Sequence, residues 1–140
     1  MTMNTRGTAF ADLTPGTALA PLRVRVSAPA NERYWRSAGV DHPALAAGSL
    51  YPPIAANLTV LCFGQLCPDP VIQTRQYLRA HRRAEVGDEL VTTGRVAACY
   101  EKRGRNYVDV ETTVATADAP DDPVWTSLVS FTPAATLGAP

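Results

Sequence analysis

The chain is short of cysteine, of histidine and of net charge, and each shortage removes a class of function. Only three cysteines, Cys62, Cys67 and Cys99, occur in 140 residues, with no CxxC spacing. An odd, sparse set cannot staple a secreted scaffold and reads as a reduced, intracellular protein. Each thiol is expected to pack as a small buried hydrophobe. Cys62 and Cys67 are separated by four residues with no histidine beside them, a poor zinc pattern, so no metal is expected. Thirteen basic side chains balance thirteen acidic ones. No general field therefore draws the chain to nucleic acid or to an anionic membrane, although a local basic patch is compatible with that balance. No apolar run spans a bilayer: the longest, around Ile54 to Phe63, is too short and too interrupted. Met1 to Leu13 has one Arg and no apolar segment, unlike a secretory leader. The expectation is a soluble, cytoplasmic protein with neither membrane nor nucleic-acid partner. Repeats, low-complexity blocks and linkers are also missing, and the length suits one domain with a full core.

What is present reads in two halves. Met1 to Pro21, rich in Thr, Ala, Gly and Pro without periodicity, is read as an extended, partly mobile arm. Arg23 to Val26 alternates with period two, a short strand. Asn31 is taken as the cap of a short amphipathic helix through Tyr34, Trp35 and Ala38, closed by Gly39. Residues 40–53 are read as a loop ending in Pro52-Pro53, which suits a helix start. The next segment, Ile54 to Phe63, is apolar on nearly every side, and a helix of that kind is enclosed by other structure. Asn57-Leu58-Thr59 is a glycosylation sequon, taken as chance because the segment reads as buried.

From Val71 onward the pattern becomes strands: Val71 to Arg83, Glu89 to Tyr100, Asn106 to Thr116, and a last one carrying Trp125, Ser127, Val129 and Phe131. Gly87-Asp88, Lys102 to Arg105 and Ala117 to Pro123 mark the turns. In the third strand Val108, Val110, Thr112 and Val114 share one face, which implies one dry side and one wet side. Short turns make neighbouring strands antiparallel. Their dry face needs a cover, and the one fully apolar helix supplies it. The expected fold is α+β, a curved antiparallel sheet wrapped around one central buried helix. Residues 1–21 form the arm, 22–133 the single domain and 134–140 a tail.

Three stretches carry a resemblance. They are Ala38-Gly39-Val40-Asp41-His42-Pro43 with Gly48 to Pro53, then Arg83 to Leu90 leading into Gly94-Arg95-Val96, then Glu101 to Val108 leading into Val110-Glu111. In that order and spacing the chain resembles MaoC-like proteins, the (R)-specific enoyl-CoA hydratases and 3-hydroxyacyl thioester dehydratases, most of all their N-terminal-type domain. The resemblance runs from about Tyr34 to Phe131. It implies a hot-dog fold, dimers with a continuous sheet, and substrates that are acyl thioesters of CoA or an acyl carrier protein. The implied reaction is reversible addition of water to a trans-2-enoyl thioester, with no metal or redox cofactor.

The chain departs from the family at the centre of that chemistry. Catalytic members carry a G-D-x-N-P-x-H pattern, in which an Asp and a His hold the water and exchange its protons. Aligning Gly39 and Pro43 puts Val40 at the Asp position, His42 at the Asn position and Leu45 at the His position. Asp41 and His42 lie one or two positions away and are the catalytic candidates if the loop shifts register. The competing reading makes them a polar turn over the helix entrance. Gly48, Ser49, Tyr51, Pro53 and Asn57 form the candidate substrate-binding set, in which helix N-terminal amides would polarise the thioester carbonyl. Arg75 and Arg79 join it as phosphate ligands, within a basic run that includes Arg82 and Arg83; the competing reading is a solvated strand face. Function therefore stands between a hydratase/dehydratase, alone or in a heterodimer, and a non-catalytic acyl-binding subunit completing a catalytic MaoC-like partner. A thioesterase ranks lower, because Pro53 to Leu66 contains no Asp or Glu to activate water. A purely ligand-binding or structural role needs only the fold.

Overall fold

The β-branched alternation of the C-terminal half builds the sheet on which everything else is placed. The computed structural model describes residues 7–39 and 42–134. In chain order the elements are β1 (Leu22–Arg25), α1 (Ala28–Ser37), α2 (Pro43–Ala46), α3 (Ile54–Leu66), β2 (Val71–Ala80), β3 (Glu89–Lys102), β4 (Arg105–Thr116) and β5 (Pro123–Pro133). The five strands form one sheet in the order β1-β3-β4-β5-β2, antiparallel throughout. β3 and β4 close through a two-residue turn, Arg103-Gly104, with φ of 52° and 76°. Both residues in the left-handed region make this the hairpin turn that matches strand twist. The β2–β5 pairing sends β2 to the far edge of the sheet, so among the described residues its other side has no strand neighbour.

The register shows which face is dry. Val108 pairs with Phe131, Val110 with Val129, Thr112 with Ser127 and Val114 with Trp125. All eight are buried, and α3 lies across them. Phe63 stacks on Phe131 with ring centroids 4.5 Å apart. Ile54, Leu58, Leu90, Trp125 and neighbours fill one end of the core; Phe63, Val96, Val108 and Phe131 fill the other. Between these two clusters Thr59 Oγ1 meets Thr112 Oγ1 at 2.7 Å and Ser127 Oγ at 3.0 Å. The helix axis is thus pinned to the middle strands by hydroxyls as well as by apolar contact.

Several expectations need correction. Residues 7–21 are packed, not loose: Phe10, Leu13 and Leu19 are buried in the core, and Gly16, Thr17 and Leu19 bond to β3 through Val96 and Gly94. Three apolar side chains spaced along a polar segment suffice to anchor it. Ser27, not Asn31, caps α1, its Oγ accepting from Ala30 N at 3.3 Å, with Pro29 in the first turn where its missing N–H costs nothing. A one-turn helix, α2, stands where a loop was expected. β2 stops at Ala80, because Arg82 and Arg83 turn away to other partners. Finally, α3 is not enclosed on all sides. Val60 is 39% exposed and Leu61 57% exposed. Cys62 and Cys67 are buried as expected, but Cys99 is exposed.

Candidate functional site

The segment from His42 to Pro53 is held against α1 by one buried amide. Asn31, 1% exposed, donates through Nδ2 to the carbonyl of Ser49 at 2.9 Å and accepts through Oδ1 from Tyr51 N at 3.0 Å. Trp35 Nε1 donates to the same Ser49 carbonyl at 3.0 Å. Both lone pairs of that oxygen are therefore used, and the chain between 49 and 51 is fixed in place. Leu50 N donates to Ala84 O and Val86 N to Gly48 O, which ties the segment to the approach to β3. Gly48 closes α2 with φ of 77°, a conformation that other side chains rarely adopt.

Above this clamp lies a group of rings. Trp35 meets Tyr51 edge-on at 5.0 Å and stacks on His42 at 5.5 Å, while Tyr34 stacks on Tyr51 at 6.4 Å. The Tyr34 hydroxyl accepts from Asn57 Nδ2 at 3.0 Å, joining α1 to the first turn of α3. His42 caps α2, its Nδ1 accepting from Ala44 N at 3.0 Å. An accepting Nδ1 places the neutral ring's proton on Nε2, so the free side of the ring is a donor. A groove of about 650 Å³ between α1 and α2 is lined by Asn31, Glu32, Arg36, His42, Pro43 and Gly48, among others. Glu32 and Arg36 in that groove form an ion pair at 2.6 Å.

Several sequence candidates meet here and others do not. His42, Gly48, Ser49, Tyr51, Pro53 and Asn57 all belong to this corner. Asp41 lies outside the described residues. The expected carbonyl-polarising amides are absent, which corrects that reading. Gly48 N donates to Leu45 O, Ser49 N to Ala44 O, and Leu50 and Tyr51 N as above. Pro52 and Pro53 have no N–H, and Ile54, Ala55 and Ala56 N donate back to Tyr51, Pro52 and Pro53 carbonyls at 3.0–3.1 Å. The tight turns that a Pro-Pro pair imposes consume the donors. Any polarisation of a carbonyl must come from side chains such as Ser49, Tyr51 or Asn57.

Arg75 and Arg79 are elsewhere. Arg75 pairs with Ser130 and Arg79 with Thr126, so both stand on the face of the sheet opposite α3. The basic run is also broken up. Arg82 bonds Asp122 and Thr116, and Arg83 bonds Ala47 O and Glu85. Asn31, Trp35 and Glu32 were the site residues missed as such. The signal that finds Asn31 is Ser27 followed by Ala28-Pro29, which is a better helix start and moves Asn31 into the helix's second turn. Among the described residues no three His, Cys, Asp or Glu side chains gather as metal ligands, and no helix is long and apolar enough to cross a membrane.

No protein-family model and no curated protein sequence matches the chain. Solved structures do. A C-terminally truncated HadBC complex, a 3R-hydroxyacyl-ACP dehydratase from Mycobacterium tuberculosis, superposes with a TM-score of 0.70 at 19% identity, over 84% of this chain and 96% of that one. The (R)-hydratase of A. caviae involved in PHA biosynthesis gives 0.69 at 20% identity, over 86% and 96%. A MaoC-like dehydratase from Rhodospirillum rubrum gives 0.68 at 17% identity, over 91% and 97%. The chain has the hot-dog fold. At such identities the agreement concerns the backbone, and the fold alone does not assign chemistry. Within the hot-dog frame α3 is the wrapped helix, and the clamped 48–53 segment is its entrance.

Proposed function

We propose that this chain is one hot-dog subunit of a 3-hydroxyacyl-thioester dehydratase or enoyl hydratase, working as a dimer with a second hot-dog chain. One observation carries the reading. All four large hydrophobics exposed among the described residues, Val60, Leu61, Ile72 and Tyr77, lie on α3 or on β2. β2 is also the long edge strand, its outer side unpaired among the described residues. An edge of open N–H and C=O groups beside apolar side chains is a template for strand addition. Joining two β2 edges would extend the sheet and cover Leu61 on α3. The three solved neighbours named above supply the chemistry by analogy: they are an (R)-hydratase and two dehydratases, and HadBC is a complex.

The substrate reading is an acyl thioester of CoA or an acyl carrier protein. The ring cluster of Trp35, Tyr34 and Tyr51 would line its entry, with Ser49 and Asn57 as polar contacts. Catalytic roles go to Asp41 and His42. In water addition, one group removes a proton from water as its oxygen attacks C3, and a proton is delivered to C2. With Nδ1 committed to the cap, His42 Nε2–H can hold the water or the thioester oxygen by a hydrogen bond; giving a proton to C2 needs the imidazolium, which forms only if the cap bond at Nδ1 is released. Where the partner chain holds the complete acid/base pair, this chain binds and positions the acyl group instead.

The test is hydration of a short trans-2-enoyl-CoA, followed by loss of the conjugated thioester absorbance. It is run on the chain alone and on any hot-dog chain that co-purifies with it. Turnover by either preparation supports the reading. If neither turns over enoyl thioesters of several chain lengths and the chain is a monomer by light scattering, the proposal fails.

A further inference from the structure

A second concave site lies on the opposite face of the sheet, at the base of the β3–β4 hairpin. A cavity of about 240 Å³ is lined by Thr74, Arg75, Tyr100, Lys102, Arg103, Tyr107 and Ser130. The register explains why these groups converge. Arg75 faces Ser130, Ser130 faces Asp109, and Tyr100 faces Tyr107, with Lys102 opposite Arg105. Directly paired residues share a face, so four strands contribute to one side. Glu101 pairs with Asn106 and so belongs to the other face.

The charge in this hollow is strongly one-sided. Among the described residues Asp109 is the one carboxylate that bonds to its lining side chains, and it is occupied. Its Oδ1 accepts from Tyr100 OH at 3.0 Å and from Ser130 Oγ at 2.6 Å, and its Oδ2 is 3.9 Å from Arg75. Lys102, Arg103 and Arg105 make no ion pair among the described residues. Three lining cations against one carboxylate leave two positive charges. Arg103 is moreover the one non-glycine residue with positive φ among the described residues, at 52°. That turn position favours Asn, Asp or Gly, so an arginine there is a local cost in the fold. An outlier of this kind points to a use for the side chain. Arginine and lysine donors around hydroxyls, with excess charge of two, match a phosphate dianion better than a single carboxylate.

We propose that Arg75, Lys102 and Arg103 form a binding site for a phosphate monoester dianion on the outer face of the hairpin. The site is distinct from the α1–α3 corner, and edge pairing of β2 leaves this face open. It does not rest on the hydratase reading, since binding is measured without turnover. Free phosphate and the phosphate of a nucleotide share this chemistry.

The experiment is a titration of the full chain, followed by amide NMR shifts, with inorganic phosphate and separately with adenosine 3′,5′-bisphosphate. Chloride at matched ionic strength is the control. The expected result is saturable binding that moves amides of Thr74, Tyr100, Lys102 and Tyr107. Arg103→Asn should weaken it about tenfold, the loss of one charge-assisted contact. That substitution suits the turn, so its melting temperature should not fall, and Arg75→Gln provides a second reading away from the turn. Tighter binding of the bisphosphate marks a nucleotide source, equal binding a free one, and both support the site. Shifts no larger than with chloride, or binding unchanged in Arg103→Asn and Arg75→Gln, overturn it.

Discussion

Replacing Asn31 by Ala tests whether one buried amide holds the entrance to α3. Asn31 makes two hydrogen bonds, at 2.9 Å to Ser49 O and 3.0 Å to Tyr51 N. The two ends are not equivalent. Ser49 O keeps the Trp35 indole at 3.0 Å when Asn31 is gone, so that end loses about 1 kcal/mol, the net worth of an ordinary hydrogen bond. Among the described residues Tyr51 N has no second acceptor, so it becomes a partly buried orphan, which costs about 1–3 kcal/mol. The sum is about 2–4 kcal/mol. At about 3 °C per kcal/mol for a domain of this size, the melting temperature should drop by about 6–12 °C. Trp35→Phe is the paired comparison. It removes one donor from an oxygen that keeps Asn31, so its hydrogen-bond loss is about 1 kcal/mol. Urea unfolding of both variants, at unchanged m-value, reads the difference directly. If Asn31→Ala costs less than Trp35→Phe, the orphaned Tyr51 amide is not the controlling group and the argument is wrong.

The remaining expectations follow the same contacts. Thr92 Oγ1 is buried with no hydrogen-bond partner among the described residues, so Thr92→Val should stabilise by about 1 kcal/mol in urea unfolding; a loss would show that the hydroxyl is satisfied. Leu61→Asp should leave the fold intact and abolish dimers in light scattering, since Leu61 is exposed in the single chain; a dimer that persists excludes α3 from the contact. Burial pushes all three thiols up, with the Asp109 charge adding to the effect at Cys99, but only Cys99 is exposed to a reagent. A thiol reagent should therefore modify Cys99 in the native protein and the other two only on unfolding, and mass spectrometry of the labelled peptides tells them apart. Burial, with donation to Asp109, holds the Tyr100 phenol above its ordinary range. A raised folded value gives stability that is complete below the unfolded phenol value of about 10 and is lost as pH rises through the folded one. The urea midpoint should fall less in Tyr100→Phe than in the parent between about pH 9 and about pH 12.

The parts of the fold that were legible in the sequence are those with a strong period. Val108, Val110, Thr112 and Val114 alternate cleanly because one face of β4 meets α3 and the other meets solvent. The apolar run of α3 was legible as a covered helix, but its outward face was not. A run that is apolar all round says that every side is to be buried, not which side waits for a partner. The arm was misread because Phe10, Leu13 and Leu19 follow no helical or strand period, and their burial depends on β3 and α3 far along the chain. The site shows the same divide. Gly48 to Asn57 lie together because they are neighbours in sequence. Whether an amide near Pro53 is free depends on turn bonds that side-chain types do not reveal. Arg75 and Arg79 share a strand face, as their parity implied, and that face is the one opposite α3. Strand parity fixes a shared face, and only the sheet order decides which face that is.

His42 brings that divide to a single experiment. Its Nδ1 accepts the Ala44 amide, so the residue has a structural duty that does not require an imidazole. Asparagine is among the best residues at such a cap and alanine among the poor ones, a difference of about 1 kcal/mol. Asparagine cannot, however, exchange a proton near neutral pH. His42→Asn therefore preserves the cap and removes the chemistry, while His42→Ala removes both. Measured on the dimer with enoyl-CoA as substrate, a catalytic His42 predicts that both variants lose activity about equally, by about 10²–10⁴-fold. A capping His42 predicts near-parental activity for His42→Asn and a smaller, temperature-sensitive loss for His42→Ala. The second pattern would remove His42 from the catalytic set and leave the proton transfers to the partner chain.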